Sequence, residues 1–286
     1  SFYHAATYTW SHLLSCPETK KCILIDPVLD YTASNGRIYT ESSDEILDYI
    51  HENFYDLLMI LETHAHADHI TAAAYFKQKV SCKIAIGKEI VSVQKVFKNI
   101  FNLARDFDTN GSQFSLLLSD GDEIQFGKCT INAIHTPGHT NDSMSYKSGN
   151  NIFIGDTLLS PDYGTARCDF PGGDAEKLFD SIQKLYQFDD ENKMYLCHDY
   201  PPKSRSAMAW FTVGNQKTNN IHIKGATNKK DFVALRRYRD KSLKQPKLII
   251  PSIQINIAAG LLPPKEANGI AYLKIPLNVL GKPNSQ

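Results

Sequence analysis

The sequence predicts a layered α/β fold with a C-terminal appendage of helical and extended chain. Three observations lead there. Up to about residue 200, short β-rich runs alternate with segments of helical periodicity, the pattern of helices packed on sheets. With 286 residues, 42% of them hydrophobic, the chain can bury a substantial core, as one large domain or as a domain with an appendage. Beyond residue 200 the character shifts to basic helical stretches and proline-punctuated chain. The expected division is a main domain over residues 1–200 and an appendage over 201–286 packed on the same domain.

Taken in order, strands are expected at KCILID (21–26), LLMILE (57–62), KIAIG (83–87), CTINAIH (129–135), SMSYKS (143–148), NIFIG (151–155) and KMYLCH (193–198). These are short runs bounded by turn-forming residues. Helical periodicity covers 43–53, 69–79, 88–100 and 174–187. Asp174, after PGG, offers an N-cap oxygen for the last of these. SDGDEIQFGKCT reads as a turn feeding a hairpin. In the appendage, helices are expected over 203–219 and 229–240. The second (KKDFVALRRYRD) reads as a solvated charged face. The tail from PKLIIPSIQIN to LKIPLN reads as extended because of its prolines.

Composition removes several function classes. Thirty-one basic and 31 acidic residues cancel, leaving no broad positive field to hold a phosphate backbone, so nucleic acid is not an expected partner. No run approaches the roughly 20 apolar residues of a membrane helix. The opening SFYHAATYTW has neither a basic segment nor an apolar core of the signal-peptide kind. The chain begins at Ser1 and not Met, so a preceding domain or targeting peptide stays open. Six cysteines (Cys16, Cys22, Cys82, Cys129, Cys168 and Cys197) show no CxxC pair. Reduced thiols in a cytosol-like compartment are expected.

The chemistry concentrates in THAHADH (63–69), directly after an apolar run. Neutral histidine offers a ring nitrogen to a metal ion, and aspartate adds the negative charge that holds a divalent cation. The two-residue spacing of His64 and His66 lets a turning segment aim both rings at one point, with Asp68 and His69 beside them. Three further strand ends carry partners: His139 in HTPGHT, Asp156 in GDT and His198 in CHDY. A rigid sheet fixes such loops, which is where α/β proteins assemble sites. Six of the ten histidines fall in these short blocks. His135 reads as structural, Asp26 as a turn-capping aspartate, and Cys168 and Cys197 as small apolar side chains.

This set resembles the metallo-β-lactamase superfamily, whose signature is THxHxDH followed by a His, an Asp and a final His. The resemblance implies an αββα sandwich with a metal site on one edge. Within the superfamily, GDTLLSPDYGTARCDFPGGDA (155–175) resembles the persulfide dioxygenases, where an Arg-x-Asp-Phe block follows the metal aspartate. It is most similar to their bacterial β-lactamase hydrolase-like branch, as are CHDY (197–200), PSIQIN (251–256) and LPPKEANG (262–269). The resemblance implies one Fe(2+) per chain held by the catalytic set His64, His139 and Asp156, with Zn(2+) able to fill the same cage. It leaves His66, Asp68, His69 and His198 as ligands of a second metal or as groups orienting the first. It places Arg167 and Tyr200 against the glutathione moiety of the substrate, each with a plainer reading as salt bridge or packing.

The implied reaction oxidises glutathione persulfide, or a similar small persulfide, with dioxygen to sulfite and thiol in sulfide detoxification. The alternative is a dinuclear zinc hydrolase of the glyoxalase II type acting on glutathione thioesters. A third reading is a non-catalytic metal-binding protein. A homo-oligomer is compatible with all three.

Overall fold

The computed structural model describes residues 1–281. Strands β1 (Phe2–His4), β2 (Thr9–Ser15) and β3 (Lys21–Ile25) pair antiparallel. An excursion through β4 (Val28–Thr32) and β5 (Arg37–Tyr39) leads into α1 (Glu41–Glu52). Next come β6 (Asp56–Leu61), the short β7 (Ile70–Thr71), α2 (Ala73–Val80), β8 (Lys83–Gly87), α3 (Ile90–Ile100) and β9 (Leu116–Leu118). Because β3, β6, β8 and β9 run parallel, the first sheet has the order β1-β2-β3-β6-β8-β9.

The second sheet takes its strands in chain order: β10 (Glu123–Phe126), β11 (Cys129–His135), β12 (Met144–Ser148), β13 (Asn151–Phe153), β14 (Lys193–Tyr195) and β15 (Trp210–Thr212). β13 and β14 are parallel, and α4 (Ala175–Leu185) lies in the crossover between them. Helices α5 (Val213–Asn219), α6 (Lys229–Asp240) and α7 (Ile249–Asn256) follow.

Period-two alternation explains the layers, since successive strand side chains point to opposite faces. On β3, Ile23 and Ile25 face the second sheet, while Cys22 and Leu24 face α1, α2 and α3. On β13 and β14, Phe153 and Tyr195 face inward, while Ile152 and Met194 pack against α4 and α6. Both faces of each sheet are buried, and helices cover the two outer faces, giving αββα. Each fully buried Ile or Leu contributes roughly 1.5–3 kcal/mol. Residues from α7 join the core under the first sheet, and residues from α6 join the core under the second.

The structure adds strands β1, β2, β4, β5 and β9, which the sequence reading did not include, and departs from it at several expected elements. Residues 70–71 do not open a helix, because they pair with β4 and delay α2 to Ala73. The strand from Lys193 ends at Tyr195, and 196–198 turn toward β2, where Trp10 N–H donates to Cys197 O at 2.7 Å. The expected helix 203–219 begins only at Val213. Trp210–Thr212 instead extends the second sheet as an edge strand, suiting an aromatic and β-branched run, and Thr212 Oγ1 then caps α5 by accepting from Asn215 N–H at 3.1 Å. Finally, Ile249–Asn256 is helical rather than extended. Pro251 sits in its first turn, where a missing N–H loses no intrahelical bond.

Between the sheets, His12 of β2 lies against Phe153 and Tyr195 and donates its Nε2–H to Leu196 O at 2.8 Å. Burial lowers its pKa from the usual 6.5 to about 4. The native state therefore resists a proton that the unfolded chain accepts. Stability from this residue is complete above pH 6.5, declines as pH falls and is lost by about pH 4, an effect of up to about 3 kcal/mol. A His12→Gln chain, which keeps the N–H donor, should show a shallower loss of unfolding free energy between pH 6.5 and 4 than wild type in denaturant titrations.

Candidate metal centre

The centre is built where strand ends of both sheets converge. Asp26 follows β3 with φ of 48°, which turns its carboxylate across to the next strand end. There it accepts Thr63 N–H at 2.7 Å and Thr63 Oγ1–H at 2.8 Å. Asp26 thus ties two strand ends together and does not cap its own turn, which corrects the sequence reading. Thr63 Oγ1 in turn accepts the Nδ1–H of His64 at 3.1 Å, leaving His64 Nε2 with its lone pair.

Gly155, with φ of 51°, is required beside it: a Cβ there would lie 2.8 Å from Thr63 Cβ and Oγ1. Gly138, with φ of 142°, lets HTPGHT close onto α4, where a Cβ would meet the Leu178 backbone at 2.3 Å. His139 Nδ1–H then donates to Arg167 O at 2.7 Å, directing Nε2 into the centre. His198 Nδ1–H donates to Tyr8 O at 3.3 Å with the same effect.

The seven sequence candidates fall into two groups of ligand atoms, and Cys197 joins two further close sets, with Asp26 and His66 and with Asp156 and His198. In the first, the ligand atoms of His64, His139 and Asp156 lie within 4.8 Å of one another. Asp156 Oδ2 is 3.9 Å from His64 Nε2 and 3.6 Å from His139 Nε2. In the second, those of His66, Asp68, His69 and His198 meet the same limit. Asp68 Oδ2 is 3.1 Å from His198 Nε2, and Asp68 Oδ1 is 3.4 Å from His69 Nδ1. Asp156 stands between the groups, its Oδ1 3.6 Å from His198 Nε2.

These donors fit a divalent cation. His64 Nε2, both ring nitrogens of His66, His69 Nε2, His198 Nε2 and Asp156 Oδ1 are buried and make no hydrogen bond. Even His66 Nε2, 3.1 Å from Asp26 Oδ1, lies off the angle of a bond. An unsatisfied buried polar group costs about 1–3 kcal/mol, and a cation at the convergence point satisfies several at once. Protonation agrees. Burial, reinforced by neighbouring rings, holds the His64 and His66 pKa values well below the ordinary imidazole range, so both rings are neutral donors. Burial disfavours charge on Asp68, but His198, His69 and His66 around it outweigh that and hold its carboxyl well below the usual range. Burial raises the pKa of Asp156.

The loop carrying His66, Asp68 and His69 is held from the far end of the chain. Asn256 of α7 donates both hydrogens of its side-chain amide, to His66 O and to His69 O, each at 2.8 Å. Its Oδ1 accepts Thr71 N–H at 2.9 Å. Sequence reasoning noted PSIQIN as a motif and missed this role, because the 187 positions between His69 and Asn256 carry no local signal.

His139 and Asp156 open onto a cleft of about 690 Å³. Tyr200 lines it, its ring nearly parallel to His198 at 5.8 Å and packed beside Tyr8 and Tyr163, two cleft residues the sequence reading did not single out. Arg167 also lines it, with its guanidinium committed elsewhere: Nε and Nη2 donate to Asp169 at 2.5 and 2.8 Å, and Nη1 donates to Lys244 O at 2.6 Å. The reading of α6 as a solvated face is corrected in part. Arg236 is buried, bonded to Asp240 and to Thr165 O, and Arg239 reaches the cleft, as does Lys247. His135 is structural as expected, donating Nε2–H to Asn141 O at 2.9 Å. Burial raises the thiol pKa of Cys168 and Cys197, as suits small apolar residues.

Residues 6–198 match the model of the metallo-beta-lactamase superfamily, and the chain belongs to that superfamily. It is 48% identical to glyoxylase B2 of Dictyostelium discoideum over 265 residues, covering 92% of this chain and 91% of that one. It is 43% identical to a beta-lactamase hydrolase-like protein of Agrobacterium fabrum, covering 98% of this chain and 64% of that longer protein. Mitochondrial persulfide dioxygenase ETHE1 of Bos taurus is 27% identical over 90% of this chain and 86% of its own. Among solved structures, ETHE1 from Myxococcus xanthus superposes with a TM-score of 0.72 at 28% identity, covering 91% of this chain and 98% of that chain.

Replacing Asn256 with Ala strands the carbonyls of His66 and His69 and the Thr71 amide. The expected result is a loss of roughly tenfold or more in divalent-metal affinity, read by chelator competition. Wild-type affinity in that variant would show that the loop is held without Asn256.

Proposed function

We propose that this chain is an iron-dependent persulfide dioxygenase that converts glutathione persulfide, or a similar small persulfide, with dioxygen and water to the thiol, sulfite and two protons. The observation that carries the reading is the set of two histidines and one carboxylate, His64, His139 and Asp156, of which His139 and Asp156 line a cleft large enough for a small peptide thiol. Similarity to persulfide dioxygenase ETHE1 supports it. Those three residues would hold one Fe(2+). When bound, iron supplies open coordination positions and a change of oxidation state, neither of which zinc in a closed shell provides.

The chain's own groups bind and orient. Tyr8, Tyr163 and Tyr200 form an aromatic wall of the cleft that packs against the thiol carrier. Arg239 and Lys247, which have no carboxylate partner among the described residues, offer positive charge to the carrier's carboxylates. Arg167 acts through its carbonyl on His139 and through its guanidinium, which spans Asp169 and the Phe170 ring and so shapes the pocket around the substrate. Burial disfavours charge on His198, but Asp68 and Asp156 outweigh it and raise the pKa of this ring. The proposed setting is cytosolic sulfide detoxification.

A second reading has its own support. The group of His66, Asp68, His69 and His198 is complete, and Asp156 presents one oxygen to each group, as a dinuclear zinc hydrolase of glutathione thioesters requires.

Full-length chain loaded with Fe(2+) or with Zn(2+) separates the two in an oxygen electrode. The iron form should consume oxygen on addition of glutathione persulfide and release sulfite in equal amount, the zinc form should not, and Asp156→Ala should abolish uptake. Thioester hydrolysis by the zinc form, with no oxygen uptake by the iron form, would establish the hydrolase instead.

A further inference from the structure

The strands that deliver ligands to the metal centre start at the opposite pole of the sandwich, where two turns meet, one from each sheet. The turn between β2 and β3 begins with Cys16, and the turn between β10 and β11 ends with Cys129. Lys128 N–H donates to Cys16 Sγ at 3.4 Å, which puts this sulfur against the backbone of the residue preceding Cys129. Thr19 donates to the same sulfur, and the Cys129 thiol faces it. The contact is tight, since a Cβ on Gly127 would stand 3.1 Å from Cys16 Sγ. An ion pair between Lys128 and Glu18 clasps the two turns.

This environment suits a thiolate. Hydrogen bonds from Thr19 and from the Lys128 amide bring the Cys16 thiol down to about 6. Burial raises Cys129, and burial likewise pushes Cys22 up to about 12 and Cys82 to about 11. Cys16 itself is only 1% exposed, but Thr19 and Lys128, whose groups contact its sulfur, are exposed, and Cys129 is half-buried. A thiolate of this kind, with a second thiol at hand, is the arrangement of a reactive rather than a structural cysteine.

We propose that Cys16 and Cys129 form a redox-active dithiol that hydrogen peroxide oxidises to a disulfide joining the two sheets. Cys16 thiolate attacks one peroxide oxygen, the O–O bond breaks, and the departing hydroxide takes a proton to become water, leaving a sulfenic acid. The Cys129 sulfur then attacks Cys16 Sγ, the S–O bond breaks, and the hydroxyl leaves with the Cys129 proton as a second water. Two thiols lose two electrons, and one peroxide becomes two waters. The metal centre takes no part.

The test uses the full chain loaded with zinc, so that no redox metal consumes the oxidant. With a small excess of hydrogen peroxide, intact mass should fall by about 2 Da, and digestion without reductant should release a Cys16 peptide linked to a Cys129 peptide, reversed by dithiothreitol. In Cys129→Ser, Cys16 should stop at a sulfenic acid trapped by dimedone. Iodoacetamide at pH 7 should label Cys16 of the wild-type chain roughly tenfold faster than Cys168 or Cys197, a measurement that needs no variant to fold. Cys16 labelling as slowly as those buried thiols, a disulfide between any other pair, or both residues still reduced when other cysteines have oxidised would overturn the proposal.

Discussion

The centre depends on one buried carboxylate, that of Asp26. By accepting both the amide and the hydroxyl of Thr63, it fixes the ends of β3 and β6 relative to each other at the edge of the first sheet. Burial pushes the Asp26 pKa up, and the two bonds from Thr63 oppose that. Unpaired, such a group is costly in an apolar interior, so the geometry has one low-energy form. His64 inherits its ring orientation from the same threonine, and Gly155 brings Asp156 against it from the second sheet. Asp26 thereby sets the His64 side of the first ligand group, while His139 is oriented separately by Arg167 O.

The second ligand group has a different support. Its loop hangs on Asn256, whose amide uses every donor and acceptor it has on backbone atoms of residues 66, 69 and 71. The C-terminal helix is thus a structural part of the centre, and its apolar face is secured separately by burial against the first sheet's helices.

Charge in the cleft is also divided. Arg167 and Arg236 are committed to Asp169 and Asp240 and to backbone carbonyls, and act as braces. Arg239 and Lys247 reach the same cleft, with no carboxylate partner for either among the described residues. The braces carry little net charge into the cavity, because each is neutralised at contact distance. The other two leave a local positive field near the mouth even though the whole chain is neutral.

The sequence by itself determined the layered α/β class, the central strands of both sheets and the residues that crowd the centre, while β1, β2, β9 and β15 at or near the sheet edges were not legible. The reason is that period-two burial and the clustering of histidine at strand ends are local patterns. His64, His66, Asp68, His69, His139, Asp156 and His198 were all readable as candidates from their place after apolar runs. Tertiary structure alone decided how they divide into two groups, that Asp26 reaches across to Thr63, that Arg167 is braced by Asp169, and that Ile249–Asn256 is a helix reaching back to the metal loop. Each of these turns on which groups satisfy one another's hydrogen bonds across tens to hundreds of residues. Propensity and spacing act over a few positions and hold no record of such partners.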